Sequence, residues 1–264
     1  MITSWKLGPA IATGNALIIK TPELSPLYGQ KLAQLVVEAG FPPGVISILC
    51  GLGHEAGQAI AEHMLIRKIS FTGSDRTGRS LLRASANTNL KKISLELGGK
   101  GPSIVFQEAD LNNAAFWTSL GATANNGQVC ALGSRIYVHE SIYDHFIDLF
   151  KQQYQYGTEP GDPVLADTSK GPLISRAQFE KVLGYVRKGQ EEGAKILIGG
   201  NSTGKGLFIE NTVFTDTRED MKIVKEEIFG PVAVSKNETL SSSKPAIPIC
   251  KNSFYSTRAS DSNI

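Results

Sequence analysis

Ala16-Leu17-Ile18-Ile19-Lys20-Thr21-Pro22-Glu23-Leu24-Ser25-Pro26 carries the reading of the fold. Ala16–Lys20 is a short apolar run, the pattern of a strand buried in a parallel sheet. Ser25-Pro26 follows as a cap residue with proline at the first helical position. Leu32, Leu35, Val36 and Ala39 then recur at helical spacing, and Gly40 with Pro42-Pro43 ends the helix. Val45–Leu49 reads as the next strand, with a glycine-bearing loop and a helix near Glu55–His63 after it. Ile66–Phe71 is a third strand, and Asp75–Ala86 a third helix. Strand, helix, strand, helix, strand predicts an α/β fold with a doubly wound parallel sheet.

The alternation resumes after Gly99, which makes a second α/β domain. Pro102–Phe106 reads as a strand, Leu111–Asn125 as a helix and Ile136–Val138 as a strand. Ile142, Phe146 and Leu149 stripe the helix that follows. Residues 175–192 read as helical and Lys195–Ile198 as extended. The domain boundary falls near Gly98–Lys100, so residues 1–98 form one domain and 99–236 another. Residues 237–264 are rich in Ser, Lys and Asn, follow neither period, and read as a disordered tail or a foreign reading frame.

Composition bounds the function classes. The chain has 264 residues, 41% hydrophobic and 20% charged, as expected of a globular protein with a buried core. Its net charge of +2 gives no electrostatic case for a nucleic-acid or anionic-membrane partner. No stretch approaches the ~20 continuous apolar residues of a membrane span, and the N-terminal residues lack the basic start and apolar run expected of a secretory signal. Three cysteines without a disulfide framework fit a reducing, cytoplasmic setting. Cys50 and Cys250 read as small buried hydrophobes. His54, His63, His139 and His145 lack ligand spacing, so no metal is expected.

Two segments carry chemistry. Cys130 lies in Gly127-Gln128-Val129-Cys130-Ala131-Leu132-Gly133-Ser134-Arg135, where Asn125-Asn126-Gly127 turns the chain out of a helix. A polar turn of this kind can present sulfur at a cleft, where backbone N–H groups lower the thiol pKa from about 8.5. Glu96 lies in the apolar stretch Ile93-Ser94-Leu95-Glu96-Leu97, just before Gly98-Gly99-Lys100. Burial there would raise its pKa from about 4.3 toward the value wanted of a general base. Phe71-Thr72-Gly73-Ser74-Asp75-Arg76-Thr77-Gly78 puts glycine, serine and a helix N-terminus straight after a strand, a ready pyrophosphate site.

From Trp5 to about Lys236, these segments resemble the aldehyde dehydrogenase family. The resemblance implies that Cys130 attacks an aldehyde, that hydride passes to a nicotinamide, and that Glu96 activates the water that hydrolyses the thioester. Lys6 matches a lysine proposed to relay protons from the base. The implied cofactor contacts are Lys20, Glu23, Gly53, Gly57, Gly73, Ser74, Gly78, Leu97, Glu227 and Phe229. Glu23 would accept the adenine-ribose hydroxyls and repel a 2′-phosphate, favouring NAD, with NADP as the family's exception. Glu227 would hold the nicotinamide ribose and Phe229 would pack beside the ring. Leu132 stands where the family usually has a small residue, and Gly101 where it usually has a small polar one.

The family's Pro-Trp-Asn segment, whose asparagine donates to the oxyanion, falls before Met1. Full-length members of the family are homo-oligomers, and this chain, without their oligomerisation strands, is expected not to be. The competing expectation is an inactive fragment that at most binds nucleotide. A short-chain reductase would need Tyr-x-x-x-Lys, and none of the seven tyrosines has lysine four residues on.

Overall fold

The computed structural model describes residues 1–155, 161–204 and 206–238. The chain divides into two compact units, Met1–Gly98 and Gly99–Ile264. The first unit opens with helix α1 (Ile2–Ala12), which pattern reading passes over because Gly8 and Pro9 lower its helix propensity. Then come β1 (Leu17–Lys20), α2 (Leu27–Glu38), β2 (Ile46–Leu49) and a single π-helical turn, Gly53–Gly57. The unit ends with α3 (Gln58–Glu62), β3 (Lys68–Thr72), α4 (Asp75–Ala86) and β4 (Lys92–Glu96).

The strands of this unit are all parallel to their partners: β1 pairs with β2 and β3 with β4, as two separate two-stranded sheets. Helix α2 starts one residue later than expected. Pro26 is its N-cap, and Ser25 makes no capping bond. Its end follows the expected chemistry. Gly40 takes φ +75°, its N–H bonds Val37 O at 3.0 Å, and Phe41 N–H bonds Val36 O at 3.3 Å. That pair of bonds is a Schellman motif. Parallel strands are ordinarily covered on both faces. Here, among the described residues, no residue of β1–β4 is fully buried, and Ile18 and Leu49 are 46% and 41% exposed.

The second unit runs β5 (Pro102–Val105), α5 (Leu111–Thr123), β6 (Arg135–His139) and α6 (Tyr143–Gln155). It continues with α7 (Arg176–Glu191), β7 (Lys195–Ile198), β8 (Thr212–Thr215), α8 (Lys222–Lys225) and β9 (Val232–Glu238). Its five-stranded sheet has the order β5-β6-β9-β8-β7, parallel except where edge strand β7 runs antiparallel to β8. Strand β9 passes through Asn237 and Glu238, the first two residues assigned to the tail, which pair with Val138 and His139. Residues 239–264 of that segment lie outside the described residues.

Alternation along the central strands explains the two cores of this unit. Val232 and Val234 of β9, with Phe214 of β8, face a cluster under α7 and α8 that includes Phe179, Val182, Val186 and Ile223. Ala233 and Val213 face the opposite cluster with Ile136, Val138 and helices α5 and α6. Phe146, Phe150 and Tyr154, four residues apart on α6, are fully buried there, with ring centroids 5.7 and 5.0 Å apart. Each such side chain stabilises the fold by about 1.5–3 kcal/mol. Ile142 and Leu149, expected on this stripe, pack at its margin.

Candidate active site

In the first unit, nearly every residue expected to carry chemistry stands at or just past the C-terminal end of a parallel strand. That is where open α/β sheets place their ligands. Lys20 ends β1, and its Nζ donates to Thr21 O at 2.9 Å and to Glu23 Oε2 at 3.4 Å. Glu23 is exposed. Its own backbone N–H, followed by the Lys20 ammonium, holds its carboxyl below the usual range. Gly53 and Gly57 bound the π-helical turn after β2. A Cβ on Gly57 would lie 3.8 Å from the Lys20 stem, so this loop and the end of β1 are neighbours.

Past β3, Ser74 caps α4: its Oγ accepts from Thr77 N at 3.4 Å and lies 3.1 Å from Thr77 Oγ1. Asp75 in the first turn complements the helix dipole. Gly78 is buried, and a Cβ there would stand 3.2 Å from Leu97 and 3.3 Å from Leu95. Glycine therefore lets α4 approach β4 closely. The same contacts explain a correction. Side chains alternate along a strand, so with Leu95 and Leu97 on the α4 face, Glu96 points the other way. Glu96 is exposed and not buried as its apolar neighbours implied. Its main-chain oxygen accepts from Gly73 N at 3.1 Å. Lys6 of α1 donates to Ser70 Oγ at 2.9 Å, and its pKa is lowered by burial against an opposing pull from Glu96. Lys6 and Glu96 therefore act on one another electrostatically.

Cys50 also differs from expectation. It is exposed, with Sγ 3.3 Å from Thr21 Oγ1, because it follows the end of β2 and escapes the sheet's cover. Cys250 lies outside the described residues.

In the second unit, three successive left-handed residues, Asn125 (φ +50°), Asn126 (+56°) and Gly127 (+70°), turn the chain from α5 toward Cys130. Side chains hold the turn. Asn126 Nδ2 donates to Gly171 O at 2.5 Å, and Gln128 Oε1 accepts from Ile174 N at 3.1 Å. A Cβ on Gly127 would overlap the carbonyl of Gly230, so the Cys130 turn rests directly against the loop bearing Glu227 and Phe229. Cys130 is a half-buried free thiol.

Glu227 Oε1 accepts from Gly99 N at 3.4 Å. Glu227, Phe229, Gly99, Val129 and Leu132 line a small pocket. Leu132, the larger residue in the cysteine motif, is 8% exposed and forms part of that wall. Lys100 also lines it, and the sequence reading passed it over. It is 5% exposed, and burial together with the Arg135 guanidinium lowers its pKa to about 7, partly opposed by Glu227. A lysine straight after Gly98-Gly99 is the signal that could have marked it.

The structure thus gathers Lys6 with Glu96, and Lys20 with Glu23 and Gly57, in one unit. In the other it gathers Gly99, Lys100, Glu227 and Phe229 beside the Cys130 turn. Among the described residues no group of three His, Cys, Asp or Glu side chains could hold a metal, and no helix is long and apolar enough to cross a membrane.

Comparison with known proteins converges on one family. The model of the aldehyde dehydrogenase family matches residues 1–256, past Lys236, where the resemblance read from the motifs stopped. An aldehyde dehydrogenase from Alternaria alternata is 49% identical over 261 residues, covering 98% of this chain and 52% of the relative. One from Davidiella tassiana is 51% identical over 241 residues, covering 90% of this chain and 48% of its own length. The solved NAD+ complex of an aldehyde dehydrogenase from Bacillus cereus superposes with a TM-score of 0.90 at 42% identity, over 96% of this chain and 51% of that one. The chain spans about half the length of the relatives it matches. The chain belongs to the aldehyde dehydrogenase family.

Proposed function

We propose that this chain carries the machinery for oxidising a small-molecule aldehyde to a carboxylic acid with NAD, through a thioester on Cys130. The observation that carries the reading is the contact between the left-handed Cys130 turn and the Glu227–Phe229 loop. It sets the nucleophile's turn against the residues assigned to the nicotinamide end. Cys130 adds as thiolate to the aldehyde carbonyl carbon, giving a hemithioacetal whose C–H hydride leaves as the carbonyl reforms into a thioester. NAD, when bound, supplies the hydride acceptor. Water then attacks the thioester while Glu96 takes its proton, and the acid departs as the Cys130 thiolate is restored. The exposure of Glu96 lets it reach water, and its charge opposes the burial that lowers the Lys6 pKa.

The residues fit a dinucleotide. The capped N-terminus of α4, with Gly73 and Ser74, offers backbone N–H groups for a pyrophosphate, and Gly78 admits the close packing beneath it. The Lys20–Glu23 pair, with Gly53 and Gly57 beside it, suits an adenine ribose. A carboxylate at Glu23 favours NAD over NADP. The free thiols of Cys50 and Cys130 fit a reducing, cytoplasmic compartment. A second reading, nucleotide binding without turnover, is favoured by the incomplete cover of β1–β4.

The test is to incubate the chain with NAD and a panel of aldehydes, follow NADH, and map acylated peptides by mass spectrometry. An acyl group on Cys130, lost in Cys130→Ala, supports the oxidation. Nucleotide binding with neither NADH nor acylation supports the second reading.

A further inference from the structure

Lys170-Gly171-Pro172-Leu173-Ile174 forms a strap between the start of β8 and the Cys130 turn. Lys170 is only 6% exposed, a rare state for lysine unless acceptors surround its amine. Its Nζ donates to Ile209 O at 2.7 Å and to Asn211 Oδ1 at 2.8 Å, just before β8 begins at Thr212. The Asn211 amide is fixed in turn by Nδ2, which donates to Tyr154 O at 2.9 Å near the end of α6. Leu173 is buried as well, and its N–H bonds Leu207 O at 2.9 Å. Between these two anchors, Pro172 restricts the backbone further.

The strap holds the turn at two points. Gly171 O, next in the chain to Lys170, accepts from Asn126 Nδ2 at 2.5 Å, and Ile174 N–H donates to Gln128 Oε1 at 3.1 Å. Asn126 stands at φ +56°, between Asn125 and Gly127 in the same left-handed region. Such backbone is costly for residues with a side chain and persists where its surroundings over-determine it. A buried lysine could serve only to close the loop before β8. Its removal would then lower stability and leave the turn unchanged. The adjacency of Lys170 and Gly171 argues for more, because the carbonyl that holds Asn126 belongs to the residue tethered by the lysine.

We infer that Lys170 is a positioning residue for Cys130, anchoring the strap whose Gly171 carbonyl holds Asn126 and so fixing the turn that presents the thiol. The catalytic meaning of this anchor rests on the reading of Cys130 as the nucleophile. The anchor acts through backbone and Asn126, and Lys170 itself touches no reactant.

The test uses the 264-residue chain with Lys170→Met, Asn126→Asp and the double variant. Methionine matches lysine in length without a donor for Ile209 or Asn211. Aspartate tolerates the left-handed region and lacks the amide donor, and it leaves the buried anchor intact should Lys170→Met fail to fold. Hydrogen exchange of the peptide spanning residues 125–130 reads the turn. Iodoacetamide labelling reads the thiol, with Cys50 of the other unit as internal reference. Well below the melting temperature, each single variant should exchange and label Cys130 about tenfold faster, as loss of one hydrogen bond implies, with Cys50 unchanged. Acylation of Cys130 by an aldehyde with NAD should slow by a similar factor, since a loosened thiol is more accessible and less well aimed. The double variant should go no further than the larger single effect, because either cut releases the same strap.

Lower melting with unchanged exchange and labelling overturns the inference in favour of loop closure alone. Additive effects in the double variant overturn the strap, and faster labelling with unchanged acylation overturns the positioning role. A wild-type chain that is never acylated refutes the nucleophile reading instead, and exchange and labelling then decide the strap by themselves.

Discussion

Gly127→Ala is the sharpest single perturbation of the Cys130 turn. Glycine at φ +70° adopts the left-handed region freely, whereas a Cβ there costs roughly 1–2 kcal/mol. Sterics add to this. The new Cβ would overlap Gly230 O and stand 2.8 Å from Pro231 N, and both are backbone atoms that cannot rotate aside. Forcing an extra carbon into a packed site costs typically ~1–3 kcal/mol. The sum is about 2–5 kcal/mol, against roughly 5–15 kcal/mol of net stability for a typical domain. At about 2–4 °C per kcal/mol for chains of this size, the melting temperature should fall by roughly 4–20 °C. Gly184→Ala is the control. It sits inside α7, with nothing within 4 Å of its added Cβ, and should stabilise by about 0.5–1 kcal/mol. Thermal denaturation followed by far-UV circular dichroism measures both variants. A Gly127→Ala protein that melts with the wild type would refute the close approach of the Cys130 turn to the Glu227–Phe229 loop.

Three further outcomes are expected. Glu96→Gln should leave the first turnover of NADH near normal and slow the steady state, because the base serves mainly the hydrolytic half; rapid-mixing kinetics would show a burst, and equal loss of both phases would exclude that role. Lys100 carries a folded-state pKa of about 7 against 10.5 unfolded, so between those values the unfolded chain holds more protons and stability rises with pH. Lys100→Met should remove that rise, up to about 1.4 kcal/mol per pH unit, and parallel melting-versus-pH curves for both proteins from pH 7 to 9 would contradict it. Glu23→Ser should narrow the NAD-over-NADP preference in kcat/KM by removing the carboxylate that repels a 2′-phosphate; an unchanged ratio would mean that Glu23 does not read the ribose.

The elements that sequence alone placed well are those whose instructions are local. Helix α4 spans Asp75–Ala86 as its periodicity implied, and β7 spans Lys195–Ile198. Helix α7 starts after the Ser175 cap, and Gly40 ends α2, because each stop or start is written within a few residues. The chemical motifs were equally local: a cysteine in a glycine turn and a carboxylate before paired glycines are recognisable without coordinates, and they led to the family.

What escaped the sequence depended on partners distant in the chain. Strand β9 exists because it pairs with β8 and with β6, the latter nearly a hundred residues earlier, and a short apolar run cannot announce such a partner. The exposure of Glu96 follows from which face of β4 receives α4, a choice made by the contact of Gly78 with Leu95 and Leu97. Cys50 is exposed because the strand it follows lacks the cover a parallel sheet ordinarily has. Lys100 becomes unusual only once burial and Arg135 surround it. Local sequence determined which groups could react, and tertiary packing decided which of them are buried, strained or aimed, because desolvation and steric closeness are properties of neighbours and not of the chain that carries the residue.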